Sequence, residues 1–197
     1  THYEAYVQAF NSSNDRIGYY MITYKNGYGW DFRFTVREYE DVVWYVDEDA
    51  QGAQLGTSWY HAFRNLQDAL DVAEEGDEIW VAEGTYCPDE DMHNPNGTDS
   101  RTATFNMIPG VGVYGGFSGT EGDRSERNWI ANETILSGSI GAKFNTDNSY
   151  HVITCNETIS GSIVLDGFTV TGGNANGSYP NSIGGGMFIA NGEPLVQ

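Results

Sequence analysis

The chain has 197 residues, of which 28 are Asp or Glu and 9 are Lys or Arg, giving a formal net charge of -19 and a pI near 4.2. Nucleic acid is therefore excluded as a partner, because phosphate binding needs a basic face. No apolar run is long enough to span a bilayer, and the length allows one medium domain, or one domain plus a fragment.

Residues 1–42 differ in pattern from the rest of the chain. The runs 3–10, 19–24 and 30–37 alternate between apolar or aromatic and polar side chains. Period-two alternation predicts strands with one solvated face, most simply an antiparallel meander. About 40 residues are few for an independent sandwich. The segment is therefore interpreted as the tail of an immunoglobulin-like module or as a sheet added to the end of the next domain.

A single helix is predicted before the main strand region. After an alternating run at 42–47, Asn65 is a candidate N-cap and Gly76 a candidate stop. Apolar residues recur between them at helical spacing: Leu66, Ala69, Leu70 and Ala73. A helix here would cap a stack of strands by covering their edges. A buried strand is predicted directly after it, at 79–82.

Short strands separated by Gly turns fill the rest of the chain. The predicted strands are 104–107, 111–117, 134–138, 151–154, 163–173 and 184–190. Leu-Ser-Gly at 136–138 returns as Leu-Asp-Gly at 165–167, a spacing of about 29 residues. Strands this short cannot bury a face alone, so the pattern predicts a β-solenoid of stacked coils. Residues 194–197 resemble the start of another strand, which predicts an uncapped end or a longer solenoid.

Over roughly residues 45–197 the chain resembles the right-handed parallel β-helix, or pectin-lyase-like, surface proteins. The resemblance is carried by Gly-Thr-Ser-Trp at 56–59, the 66–70 and 76–86 segments, Val-Tyr-Gly-Gly-Phe at 113–117 with Arg124 and Arg127, the 165–175 segment, and Gly-Gly-Gly-Met at 184–187. It implies a secreted or cell-surface protein of bacteria or archaea, often adhesive or carbohydrate-facing, with three sheets. The expected fold is all-β: a right-handed parallel β-helix over 43–197 with an N-terminal capping helix, preceded by a small antiparallel segment at 1–42.

Two cysteines and five sequons fit an extracellular setting. Cys87 and Cys155 are candidates for a disulfide between neighbouring coils, with free thiols or a link between subunits as alternatives. The N-glycosylation candidates are Asn11, Asn96, Asn132, Asn156 and Asn176. The chain starts at Thr1, which is expected of a mature secreted chain that has lost its leader or of an excised fragment.

Metal binding is predicted only weakly by the sequence. The acidic runs Asp47–Asp49 and Asp89–Asp91 are candidate calcium ligands, but neither has the alternating spacing and central Gly of a calcium loop. The histidines are scattered and show no zinc spacing. No cofactor is therefore expected, and calcium is the one candidate ion.

No convergent catalytic set is found. A polysaccharide lyase needs a basic residue that takes a proton and a cation that neutralises the uronate, for which Lys143, Arg101, Arg124 and Arg127 are the candidates. Arg124 and Arg127 are instead expected to hold their loop through Glu121, Asp123 or Glu126. A glycosidase, the other enzymatic alternative, needs paired carboxylates. Asp166, the one carboxylate inside a strong strand motif, is instead expected to bind backbone N–H groups at a turn.

The leading hypothesis is a non-catalytic extracellular structural protein, such as a surface-layer, sheath, filament or adhesin subunit. It would self-associate through the ends and edges of the β-helix. The alternative is a carbohydrate-binding or polysaccharide-lyase-like protein, with glycans as partners. Aromatic residues make up 14% of the chain, and they either stack on sugar rings or fill a small core.

Overall fold

The structure, a computed structural model, describes residues 3–10, 16–24, 36–37, 42–141, 146–155, 163–190 and 195–196. The chain divides into two compact units, Thr1–Asp41 and Val42–Gln197. The first unit contains β1 (Tyr3–Phe10), β2 (Arg16–Tyr24) and β3 (Val36–Arg37), which pair antiparallel in that order. The alternation at 3–10 and 19–24 thus does form antiparallel strands. Most of the predicted run 30–37 lies outside the described residues.

The second unit consists mostly of strands in parallel sheets, with very little helix, as an all-β class requires. All pairings between its strands are parallel. Its elements are β4 (Val43–Val46), α1 (Leu66–Leu70), β5 (Glu78–Ala82), β6 (Gly84–Tyr86), β7 (Phe105–Asn106), β8 (Gly112–Phe117), a short 3-10 helix (Arg124–Glu126), β9 (Thr134–Ser137), β10 (Ile153–Cys155), β11 (Val164–Asp166), β12 (Phe168–Thr171), β13 (Met187–Ile189) and β14 (Leu195–Val196).

The parallel strands form three sheets that the chain visits in a fixed order. Sheet I has the order β14-β11-β8-β5-β4, sheet II the order β12-β9-β6, and sheet III the order β13-β10-β7. From β5 to β14, successive strands therefore belong to sheets I, II and III in turn. Strand β6, the first strand of sheet II, was not recognised in the sequence because Gly84 and Thr85 give it no apolar pattern.

The 29-residue spacing is wrong as a structural repeat. Leu136 of β9 pairs with Val170 in sheet II, whereas Leu165 of β11 pairs with Val113 in sheet I. In sheet II, residues in register lie 34 positions apart from Thr134 to Phe168. The preceding interval, from Gly84 to Thr134, is 50 positions. The loops between strands differ in length, so a constant period does not survive in the sequence.

The helix is shorter than its apolar stripe predicts. Helix α1 ends at Leu70, and its C-cap is Asp71, so Gly76 does not stop it. Gly76 instead has a φ of +98° and forms the turn before β5, a backbone conformation that favours glycine. Asn65 stands at the N-cap but makes no side-chain cap bond, since its amide donates to the Asp68 carboxylate at 3.1 Å. The stripe itself is buried as predicted.

The outer edge of β4 is paired by Gly56 and Phe63, which belong to a segment of bends and turns that precedes the helix. The N–H of Tyr45 donates to the carbonyl of Gly56 at 2.9 Å, and the N–H of Phe63 donates back to the carbonyl of Tyr45 at 2.9 Å. The N–H of Asp47 also donates to the carbonyl of Phe63, at 2.8 Å. Backbone groups that would recruit another strand are thereby paired within the chain.

One hydrophobic core is common to the three parallel sheets and α1. It contains Ile79 from sheet I, Leu136 from sheet II and Ile153 from sheet III, all fully buried. Leu66 of α1 packs in the same cluster. Burial of this shared face is the main favourable term for folding of the unit, since no single strand is long enough to bury a face alone.

Candidate functional site

Four side chains stand in register across sheet I on the face opposite the core. Tyr45 of β4 pairs with Trp80 of β5, Trp80 pairs with Tyr114 of β8, and Tyr114 pairs with Asp166 of β11. Because side chains alternate along a strand, the neighbours of these residues point into the core. The four residues Tyr45, Trp80, Tyr114 and Asp166 are called the outer row below.

One end of the outer row lies in an aromatic cluster. Trp80 stacks on Phe117 with ring centroids 4.9 Å apart and an interplanar angle of 11°. Tyr45 meets Trp80 edge-on at 5.7 Å and Trp59 at 4.8 Å. The indole N–H of Trp80 donates to Glu78 Oε2 at 2.7 Å. These contacts hold the aromatic end in one arrangement, as edge-on and offset pairs of rings do.

The loop between β8 and β9, residues 118–133, crosses this face and is held by its own carboxylates. Glu121 accepts the N–H groups of Ser118 at 2.7 Å and Thr120 at 3.0 Å. Asp123 and Glu126 form a capping box around the short 3-10 helix. The N–H and hydroxyl groups of Ser125 lower the pKa of Asp123 by donating to its carboxylate. Glu121, Asp123 and Glu126 therefore bind backbone and hydroxyl groups of the loop itself.

The two loop arginines hold the loop to sheet I, but through different partners from those predicted. Arg124 forms an ion pair with Glu78 of β5, and Arg127 forms one with Asp166 of β11. The prediction of Glu121, Asp123 or Glu126 is wrong, because backbone groups of the loop already use these carboxylates. Asp166 likewise binds Arg127 rather than N–H groups of a turn.

Tyr114 lies under both guanidinium groups. The Arg124 guanidinium carbon is 4.3 Å from the centre of the Tyr114 ring, and that of Arg127 is 5.3 Å from it. Arg127 also donates to the carbonyl of Gly115 at 3.3 Å and to that of Asp166 at 3.4 Å. Its side chain is 11% exposed and that of Asp166 is 16% exposed, so this ion pair is mostly buried.

Two adjoining clefts open along the 118–133 loop. The first, of about 570 Å³, is lined by Glu78, Trp80, Asp123, Arg124, Arg127 and Trp129, among others. The second, of about 470 Å³, is lined by Arg127, Trp129, Glu133, Asp166, Phe168 and Thr169, among others. Arg127 and Trp129 line both clefts and stand where the two adjoin.

Trp129 differs from the other tryptophans of the second unit. The indole N–H groups of Trp44, Trp59 and Trp80 donate to Asp77, Glu121 and Glu78 respectively. Trp129 is 55% exposed, and its indole N–H makes no hydrogen bond to any described residue. One contact to its ring comes from Arg127, whose guanidinium carbon is 5.2 Å from the ring centre.

The backbone of Trp129 is held against sheet I at Gly116. The N–H of Asn128 donates to the carbonyl of Gly116 at 2.7 Å, and the side-chain amide of Asn132 donates to the same carbonyl at 3.2 Å. Gly116 has a φ of +94°, and a Cβ there would lie 2.8 Å from the backbone of Trp129. The sequence predicts no role for Trp129, because the length of the loop hides that Trp129 and Asp166 line the same cleft.

Arg101, the other candidate cation that the structure describes, lines neither cleft. Arg101 donates to the carbonyls of Asn148 at 2.7 Å and Asn174 at 3.0 Å, and it lies 4.0 Å from the Tyr150 ring centre. It therefore connects loops of the second unit. Lys143 lies outside the described residues.

In the acidic runs Asp47–Asp49 and Asp89–Asp91, some carboxylates accept backbone N–H groups. Asp89 accepts the N–H groups of Thr98 and Asp99, both at 2.9 Å, and Asp91 accepts the N–H of His93 at 2.7 Å. Burial raises the pKa of Asp47 and of Glu48, although the N–H of Asp49 lowers the first and that of Thr85 the second. Over residues 42–141, 146–155 and 163–190, no group of three or more His, Cys, Asp or Glu side chains is placed to hold a metal ion. Calcium binding stays a prediction.

Both cysteines are free thiols in the structure. Cys87 is partly buried and Cys155 is 1% exposed. Burial raises the pKa of the Cys87 thiol to about 12, and the nearby charges of Glu90, Asp89 and Glu48 add to the effect. The disulfide between them stays a prediction.

The sequons differ in how their asparagines are placed. Asn96 is exposed, Asn132 donates to the Gly116 carbonyl, and Asn176 accepts a hydrogen bond from Arg101 at 2.7 Å. Asn11 and Asn156 lie outside the described residues. Asn96 and Asn176 are exposed and Asn132 is half-buried, so the first two of the three described sequons are the more accessible to a glycan.

Comparison with family models, with curated proteins and with solved structures gives no match for this chain. The resemblance to the pectin-lyase-like family stays a prediction. Helix α1 has five residues, and the part of the chain that the structure describes holds no helix long and apolar enough to cross a membrane.

Proposed function

We propose that this protein is a non-catalytic extracellular structural protein, of the kind that builds surface layers, sheaths, filaments or adhesins. Its second unit would be a right-handed parallel β-helix of the pectin-lyase-like type. The strand order supports this fold, since β5 to β14 contribute to sheets I, II and III in strict rotation with parallel pairing throughout. A coil that stacks on itself produces this order, and parallel crossover connections are right-handed in nearly all proteins.

The engagement of the two loop arginines carries the non-catalytic proposal. Arg124 is paired with Glu78, and Arg127 is paired with Asp166 and with two backbone carbonyls. A lyase needs a base that takes a proton and a free cation that neutralises a uronate carboxylate. Guanidinium groups stay protonated, so neither arginine can take the proton, and because both already have carboxylate partners neither is a free cation.

Self-association is the assembly that this scaffold favours. Strands at the edge of a sheet present unpaired N–H and C=O groups to which a second chain can add. The outer edge of β4 is excluded, because the 56–63 segment occupies it. Other ends and edges of the parallel sheets are the proposed contact. An extracellular location is supported by the exposed sequons at Asn96 and Asn176.

The test combines an activity assay with a measurement of assembly. Purified protein is incubated with polygalacturonate and alginate while the ultraviolet absorbance of unsaturated products is followed. We expect no product, and we expect light scattering and electron microscopy to show assemblies larger than one chain. Turnover that Arg127→Lys abolishes would overturn the non-catalytic proposal. A sample that remains monomeric at all concentrations would contradict the structural role.

A carbohydrate-binding protein is the second candidate function. The specific observation in its favour is Trp129, an exposed ring with an unpaired indole N–H at the junction of two clefts. A polysaccharide-lyase-like activity would need an unpaired cation, and both arginines among the described residues of the clefts are paired. Binding without turnover is therefore the form of this alternative that the geometry supports.

A further inference from the structure

We infer that the two clefts and Trp129 form a binding site for a neutral oligosaccharide. The inference rests on the second candidate function and names its site and ligand class. It begins from the contrast among the tryptophans: three have their indole N–H satisfied by protein acceptors, and Trp129 alone of the described ones does not. A large ring held half-exposed keeps both a flat apolar face and a hydrogen-bond donor for a ligand.

The backbone around Trp129 is preorganised for binding. The backbone of the 118–133 loop is held at Gly116 by Asn128 and Asn132, and Asn128 also accepts the N–H groups of Ile130 and Ala131 at 3.2 Å each. Little backbone freedom at Trp129 would therefore be lost on binding. A ring on a backbone that is already held loses less free energy on binding than one on a flexible loop.

The polar groups around Trp129 match hydroxyl groups better than charges. Arg127 and Asp166 are joined in an ion pair, and Glu133 accepts the Thr169 hydroxyl at 2.9 Å. Each partner keeps further donor or acceptor positions toward the cleft, since a carboxylate accepts several hydrogen bonds and a guanidinium donates five. Adjacent donors and acceptors are suited to the hydroxyl groups of a sugar, while a stacked ring contacts its C–H face.

The charge of the clefts excludes a uronate polymer. Their lining carries four carboxylates against two guanidinium groups: Glu78, Asp123, Glu133 and Asp166 against Arg124 and Arg127. Both guanidinium groups are already neutralised, so a negatively charged sugar would meet a net negative surface on a chain of charge -19. A neutral sugar would not be repelled. Two adjoining clefts with a shared ring indicate an oligosaccharide rather than a single residue.

The experiment is affinity electrophoresis of the full chain through gels containing dextran, laminarin or mannan, with polygalacturonate and alginate as the charged comparison. We expect at least one neutral polymer to retard the protein and neither uronate polymer to do so. Trp129→Ala should weaken binding about tenfold or more, the factor expected when a stacking ring is lost, and Trp129→Phe should retain part of it. Tyr60→Ala is the matched control, since Tyr60 is 64% exposed and lies outside both clefts.

Tryptophan fluorescence during titration with the retained polymer gives a second readout. The wild-type emission should change, and Trp129→Phe should lose that change while its circular dichroism stays native. Retardation by no neutral polymer, retardation by a uronate polymer alone, or undiminished binding by Trp129→Ala would each overturn the inference. Assembled protein that binds no polymer contradicts the site alone, and monomeric protein that binds dextran contradicts the structural role alone.

Discussion

Sheet I has two faces whose side chains differ in chemistry although they come from the same strands. The inner face presents Ile79, Val113 and Leu165 in register, none of them more than 2% exposed. The outer row changes along the same direction from aromatic rings to Tyr114 under two guanidinium groups and then to an ion pair. The inner face therefore presents aliphatic side chains throughout, whereas the side chains of the outer face change from aromatic to charged across the sheet.

The difference between the two faces indicates which positions tolerate substitution. Inner positions need an aliphatic side chain of the right volume, and many would serve. Outer positions depend on particular partners, since Arg127 has no carboxylate to neutralise it if Asp166 is changed. The inner face thus determines whether the unit folds, and the outer face determines where the 118–133 loop and Trp129 stand.

The largest effect is expected on the inner face. Leu165→Ala removes a fully buried side chain from the shared core, and we expect it to lower the free energy of unfolding by about 2–5 kcal/mol. Urea denaturation followed by circular dichroism measures the change. Val170→Ala on β12 is the control, because Val170 is 37% exposed and its loss should cost about 0.5 kcal/mol. Equal costs for the two variants would contradict the shared core.

The mostly buried ion pair of the outer face should show strong coupling. We expect Arg127→Met and Asp166→Leu each to cost about 2–3 kcal/mol, because each leaves a desolvated charge without its partner. The double variant should cost less than either single variant, since no charge is then left unpaired. A double-mutant cycle by urea denaturation measures this coupling.

The exposed ion pair provides the comparison for that cycle. The Arg124 and Glu78 side chains are 43% and 30% exposed, so Arg124→Met should cost about 1 kcal/mol or less. Additive costs for Arg127 and Asp166 would show that the two residues act separately. The 118–133 loop would then be held mainly by its backbone contacts at Gly116.

A single hydroxyl joins sheets I and II. Thr134, 1% exposed, accepts the N–H of Gly116 at 2.9 Å and donates to the carbonyl of Ala82 at 3.3 Å. Thr134→Val keeps the shape but leaves both backbone groups without this partner, so we expect a loss of about 1–3 kcal/mol in urea denaturation. Thr169→Val, at an exposed position, should cost about 0.5 kcal/mol or less. If the two losses were alike, the buried hydroxyl would have no special role.

The contrast between the two faces of sheet I also explains what the sequence could predict. Alternation at 3–10 and 19–24 predicted the antiparallel strands, and short apolar runs between Gly turns predicted most parallel strands, because apolar residues recur wherever a face is buried. The helix stripe was also correct, although Gly76 was misplaced as its stop. These features depend on neighbours along the chain, and local patterns report them.

The candidate site could not be predicted because it depends on pairing between distant strands. Asp166 and Arg127 are 39 positions apart, and their contact follows from the register of β8 and β11. Unequal loops made Leu136 and Leu165 look equivalent although they lie in different sheets. A pattern of residue types shows which positions are buried, but it does not show which strand lies beside which.

The smallest expected effect concerns a carboxylate that neither face uses. Burial raises the pKa of Glu90, and the charges of Asp89 and Glu48 raise it further. A raised folded-state pKa means that the ionised group lowers stability above that pKa and that the penalty disappears as the pH falls to the unfolded value. Glu90→Gln should therefore stabilise the protein at pH 7 by less than about 1 kcal/mol, since water screens a half-buried group.

Asp91 supplies the control of opposite sign. Its pKa is lowered first by the Asn94 side chain and then by the N–H groups of His93 and Asn94. A lowered pKa contributes stability at neutral pH that is lost as the pH falls through the folded-state value, so Asp91→Asn should destabilise at pH 7. Thermal melts of both variants across the acidic range should converge on the wild-type melt from opposite sides. Glu90→Gln melting below the wild type at pH 7 would show that Glu90 makes a favourable contact which outweighs its burial.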